Sequence, residues 1–187
     1  MRLRVALTAL ALAFAGCGQQ TGNNAPDAAP QLEAPAPETQ PSRVFAAAND
    51  AATAATGQLT AAMTLHLADA SSDDGDSQEV LTLTGANGVI VEAELTGAVS
   101  PATQVQGQTL RALLAIPVEE PQVLVYRVRN ETRPSGQGIC AGDNPSNVVV
   151  WEPVGPGDPV MKVLGLIGGA PGAAGARACP MLEYRRS

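Results

Sequence analysis

From Glu79 to Leu95 the sequence reads EVLTLTGANGVIVEAEL, two alternating apolar runs around Asn87 and Gly88. Strand side chains alternate between faces, so a slip of one residue in pairing moves a whole apolar set to the opposite face. A two-residue turn at Asn87-Gly88, the strongest short hairpin signal, sets Leu83 opposite Glu92 and puts a core residue and a charge on one face. A three-residue loop of Ala86, Asn87 and Gly88 instead pairs Gly85 with Val89, Leu83 with Val91 and Leu81 with Ala93, while Thr82 meets Glu92. Only this register keeps the apolar residues together, with Gly88 taking the left-handed position of a bulge. The chain therefore holds at least one antiparallel hairpin with a buried face.

The same grammar continues on both sides. Candidate strands fall at 58–68, 80–85, 89–96, 109–115, 122–130, 147–152, 160–167 and 181–185, separated by clusters of Gly, Pro, Asn and Asp. Short strands punctuated in this way predict a mainly β domain, a small antiparallel sandwich or barrel of about seven to eight strands. One stretch differs. FAAANDAATAATG, Phe45 to Gly57, is alanine-rich and predicts a short N-terminal helix ending at Gly57. In QVLVYRVRN, Leu124, Tyr126 and Val128 share one face, and Arg127 and Arg129 the other, which is read as solvent, with an anion site as the alternative. With two Phe, two Tyr and one Trp in the whole chain, the core has to be built from Val, Leu, Ile and Ala.

The N-terminus has a different character. Arg2 and Arg4 precede an apolar run from Val5 to Ala15, followed by Gly16 and Cys17. That run is shorter than the roughly 20 residues a membrane-spanning helix needs, and its layout is that of a secretory signal peptide. FAGC, residues 14 to 17, resembles the lipobox of bacterial envelope lipoproteins; Ala15 and Gly16 fit it, and Phe14 stands where leucine is usual. The resemblance implies cleavage before Cys17, lipidation of Cys17 with acyl chains such as palmitate, and a membrane anchor. Because Gly18 rather than aspartate follows the cysteine, it also implies the outer membrane of a Gram-negative cell, facing the periplasm. Each buried methylene contributes about 0.8 kcal/mol, so two or more chains anchor a protein stably.

The organisation that follows is a signal peptide at 1–16, a lipidated cysteine with a Pro- and Ala-rich stalk at 17–43, and a folded domain at 44–187. From Gly18 to Ser42 the stalk has five prolines and no aromatic residue, too little apolar surface to offset its ordering entropy. As a flexible coil it spans roughly 27 Å. Without the leader the chain keeps nine basic residues against eighteen acidic ones, a net charge of −9, which argues against nucleic acid as a partner.

Once Cys17 is taken by lipid, Cys140 and Cys179 remain, an even pair in an exported domain, and a disulfide is expected. Closing that loop of 39 residues stabilises the fold by about 4 kcal/mol in the chain-entropy model, less any strain. Trp151 is expected to pack near it. A catalytic cysteine lacks partners: the sole histidine, His66, sits in LTAAMTLHLAD opposite Leu65 and Leu67 and is expected to be exposed, and GxSxG, SxxK and zinc-ligand patterns are missing. The acidic DASSDDGDSQE, with Asp69, Asp73, Asp74, Asp76 and Glu79, does not place ligands as a calcium loop requires, and reads as a solvated turn. GLIGGAPGAAGA reads as a flexible loop. No catalytic residue, metal or cofactor is expected. The chain resembles small β-rich envelope lipoproteins, which implies binding or organising an envelope protein or cell-wall component; membrane-bound lysozyme inhibitors are the narrower alternative.

Overall fold

Inward-facing apolar side chains recur at every second residue through the strands, and the sheet they build closes on itself. The computed structural model describes residues 37–66, 78–134, 137–153 and 159–187. In chain order its elements are β1 (Glu38–Thr39), β2 (Arg43–Ala47), α1 (Asp50–Ala55), β3 (Leu59–His66), β4 (Gln78–Gly85), β5 (Ile90–Val99), β6 (Gln104–Val105), β7 (Gln108–Thr109), α2 (Leu110–Leu114), β8 (Val123–Thr132), β9 (Asn147–Trp151), β10 (Val160–Ile167), β11 (Arg177–Ala178) and β12 (Leu182–Arg186).

β1 and β2 lie end to end along β3, Glu38 opposite Leu65 and Phe45 opposite Leu59. Pro41, which has no N–H to give a ladder, falls in the break. β11 and β12 likewise share β10, broken around Cys179 and Pro180. From β3 each main strand pairs antiparallel with the next, through β4, β5, β8, β9 and β10 to β12. β12 then returns to β2, with Tyr184 opposite Ala47 and Arg186 opposite Phe45. The result is an eight-stranded up-and-down barrel, the barrel rather than the sandwich of the two architectures expected. Closure leaves each of the eight main strands paired on both sides.

The hairpin register expected from EVLTLTGANGVIVEAEL is the one observed. Leu83 faces Val91, Leu81 faces Ala93 and Thr82 faces Glu92, the Gly85 N–H donates to Val89 O at 2.8 Å, and Gly88 has φ +84°. Phe45, Leu59, Ala61, Leu81, Leu83 and Tyr184 are among the buried residues that fill the barrel. A second core lies outside it. Val123, Val125, Val149, Trp151, Leu164 and Leu166 point outward from β8, β9 and β10 and are covered by Val105, Leu110, Leu114 and Ile116 of the long β5–β8 connection. β9 is thus buried at every residue, as its unbroken NVVVW run suits.

Four expectations are corrected. Residues 109–115 form no strand beyond Thr109. Thr109 caps α2, its Oγ1 accepting from Ala112 N at 3.2 Å, and Leu110 and Leu114, one turn apart, both face the outer core. Of Phe45 to Gly57 only Asp50–Ala55 is helical, with Asn49 as N-cap; Phe45 belongs to β2, whose alanines hide its alternation. The sheet reaches into the stretch assigned to the stalk, since β1 and Arg43 of β2 lie before residue 44. Trp151 packs in the outer core and not with the disulfide, which belongs to the inner one.

Cys140 and Cys179 are joined by a disulfide with Cα atoms 5.1 Å apart, tying the β8–β9 connection to the last barrel strand. Beneath it is Gly165, where an added Cβ would come within 2.5 Å of Cys140 Sγ. Overpacking of this kind costs typically 1–3 kcal/mol. Gly165→Ala is therefore expected to lower the urea midpoint, and by clearly less in a chain where both cysteines are alanine; an equal loss in both backgrounds would disprove the contact.

Candidate barrel-mouth site

The two ends of the barrel are built differently. At one end α1 packs Ala52 and Ala55 into the inner core. Asn49 Nδ2 donates to Met181 O and Asn87 Nδ2 to Ala55 O, at 2.9 and 2.8 Å. Thr56 Oγ1 lies 2.7 Å from Tyr184 OH inside the barrel, and the disulfide closes the same end. The helix acts as a stopper.

At the opposite end, where β2 begins and β9 finishes, side chains from β2, β3, β4, β8 and β9 meet across the interior around a cavity of about 210 Å³. Met63, Leu81, Leu124 and Val150 form its walls. Its polar groups are few and mutually bonded. Arg43 grips Glu152 with both guanidinium nitrogens, Nη2 to Oε1 at 2.9 Å and Nη1 to Oε2, and lies 5.6 Å from the Phe45 ring centroid. A planar fork on a carboxylate is a strong, oriented ion pair. Tyr126, which also lines the cavity, donates from its OH to Glu79 Oε1 at 2.9 Å. A groove of about 490 Å³ continues from the cavity, sharing Leu124, Val150 and Glu152 and extending over Glu120, Pro121 and Gln122. Apolar walls with a few placed polar groups are the usual make-up of a small-ligand site, and a barrel of eight strands is about the smallest that holds a ligand.

Among the described residues, the candidate site residues of the sequence do not line the cavity, though Glu79 of the acidic stretch is bonded to Tyr126, which does. Cys140 and Cys179 are bonded, as expected. Cys17 and Asp69, Asp73, Asp74 and Asp76 lie outside the described residues. His66 closes β3 opposite Gln78, and its side chain too lies outside what is described. Among the described residues no three His, Cys, Asp or Glu side chains converge as a metal site. Arg127 and Arg129 point outward but are not an anion site, because both ion-pair with Glu94, Arg127 Nη2 at 3.1 Å from Glu94 Oε2. Burial opposes ionisation of Glu94, yet the hydrogen bond from Arg127 and the two arginine charges outweigh it and hold its pKa below the usual value. The glycine run is not a flexible loop: Gly169 N donates to Ser146 Oγ and Gly172 N to Gln104 O.

Sequence reasoning missed Arg43, Glu152 and the Tyr126–Glu79 pair. The available signal was a tyrosine on the apolar face of β8, whose hydroxyl has to find a partner once buried.

No protein-family model matches this chain, and neither a curated protein nor a solved structure does.

Both tyrosines of the chain carry raised pKa values. Burial pushes Tyr126 up, reinforced by its bond to Glu79 and the charges of Glu79 and Glu152, with Arg43 opposing; burial pushes Tyr184 up to about 12, with the Thr56 contact opposing. The folded chain keeps phenolic protons that the unfolded chain releases near pH 10, so this contribution to stability is whole below about pH 10 and is lost as pH rises. Phenolate absorbance is expected to stay low at pH 10 and to appear together with loss of the β circular-dichroism signal. Two phenolates titrating near pH 10 in an intact fold would contradict the buried hydroxyls.

Proposed function

We propose that this protein is a non-catalytic lipoprotein, anchored through Cys17 in the outer membrane and facing the periplasm, that binds or organises an envelope component through the end of its barrel that holds the cavity. The observation that carries this reading is the asymmetry of the two ends among the described residues, one stoppered by α1 and the disulfide-tied loops, the other holding a cavity with apolar walls. Supporting it, the chain reaches the barrel along β1 and Arg43, at the rim of the cavity. A tether that attaches beside the mouth keeps the mouth within a stalk's length of the anchoring membrane, which raises the effective concentration of a partner held there.

The N-terminal sequence supplies the anchor in this reading, and the pairing of Cys140 with Cys179 suits an oxidising compartment. Proximity cross-linking in intact cells, followed by mass spectrometry, tests it with Cys17→Ser as control. The expected result is palmitate incorporation into the parent chain only, and a dominant envelope neighbour that is lost in the variant. Equal labelling and the same neighbours in both chains would refute the anchored role.

A further inference from the structure

We propose that the barrel mouth binds an organic cation, a primary ammonium or guanidinium group on a short apolar stem. This deepens the reading of the cavity end as a binding site and rests on it.

Volume sets the size of the ligand. A dry engineered cavity of about 150 Å³ admits benzene; the mouth cavity, at about 210 Å³, takes a stem of similar or slightly greater bulk, and the adjoining groove lets a longer molecule run out toward Glu120. Met63, Leu81, Leu124 and Val150 provide the apolar contact for the stem.

Charge sets its sign. Among the described residues the one cationic side chain lining the cavity and groove is Arg43, and it is already held by both oxygens of Glu152. The exposed Arg186, at the end of β12, lines neither space. Against Arg43 stand Glu152 and Glu120; Glu79 lines neither space itself and is bonded to Tyr126, which does. An anionic ligand could reach only the N–H donors that Arg43 has left over, and it would lie against the carboxylates of Glu152 and Glu120, whose charges oppose it.

A cation meets no such obstacle. A carboxylate offers about four acceptor positions, and Arg43 uses two of those on Glu152, while Glu120 lines the groove as a further acceptor. The remainder can take N–H donors without breaking that pair. Lysine or arginine side chains of a protein and free alkylamines share this chemistry.

The test uses the oxidised chain from residue 17 onward carrying Cys17→Ser, titrated by methyl NMR with hexylammonium, hexanol and hexanoate. Concentrations run to roughly 10 mM, suited to a ligand of about seven non-hydrogen atoms. Hexylammonium is expected to shift the methyls of Met63, Leu81, Leu124 and Val150, with a Kd at least about tenfold below those of hexanol and hexanoate, a difference of about 1.4 kcal/mol. Glu120→Gln and Glu152→Gln should each weaken it, and the methyl map on the unaltered barrel keeps the result readable if either variant fails to fold. Hexanol or hexanoate binding as tightly as the ammonium overturns the ligand class and leaves the mouth a site. Silence of the mouth methyls toward all three overturns the site itself. A lysine-containing tripeptide that competes with hexylammonium identifies a protein side chain as the source, whereas binding confined to the alkylamine identifies a free amine; either result sustains the proposal.

Discussion

Everything in this molecule depends on the seam where the last strand meets the first. β12 pairs with β2 through Tyr184 and Ala47, and the ladder is extended by Ala48 N donating to Glu183 O at 2.7 Å and Ser187 N to Val44 O at 3.1 Å. Each other pairing among the eight barrel strands joins neighbours in the order the chain lays them down, but this one brings together segments more than a hundred residues apart. Without it β2 and β12 would be exposed edges, and the interior around Phe45 and Tyr184 would open to water. The seam is secured from within by the contact of Tyr184 with Thr56, and at its end by Asn49, which caps α1 and also bonds to Met181 O and Glu183 N.

Closure explains the distribution of polar groups. A barrel of eight strands has room for little besides side chains. The stoppered end uses that room for small residues and a disulfide, with Gly165 leaving space for sulfur. The other end is filled less completely, and the polar groups there satisfy one another across the gap: Arg43 with Glu152, Tyr126 with Glu79. Buried polar groups are tolerated when they are paired, and Arg43, Glu152 and Tyr126 line the cavity there. The outer core has a separate task. It covers β8, β9 and β10 and lets a chain poor in aromatic residues bury apolar surface on both sides of one sheet.

Local rules were enough to read the β4–β5 hairpin to the residue, because period-two alternation and one glycine leave a single consistent register. They also sufficed for most strands and for the cysteine pair. They failed where an element owes its identity to distant contacts. The RVFAA strand carries one large apolar residue, and only its partners in β3 and β12 make it a strand. TLRALLA alternates weakly enough to pass for a strand until the Thr109 cap and the spacing of Leu110 and Leu114 are weighed. The mouth was illegible for the same reason: Arg43 and Glu152 are 109 residues apart, and no spacing in the sequence connects them.

Native-state hydrogen exchange at Ala48 tests the central claim, that the sheet is closed by β2 and β12. In a closed barrel this amide opens only with most of the structure, at a free energy within about 1 kcal/mol of the β4–β5 amides. Exchange of Ala48 at the rate of an exposed amide, while Leu81 and Leu83 stay protected, would show an open sheet and contradict the account.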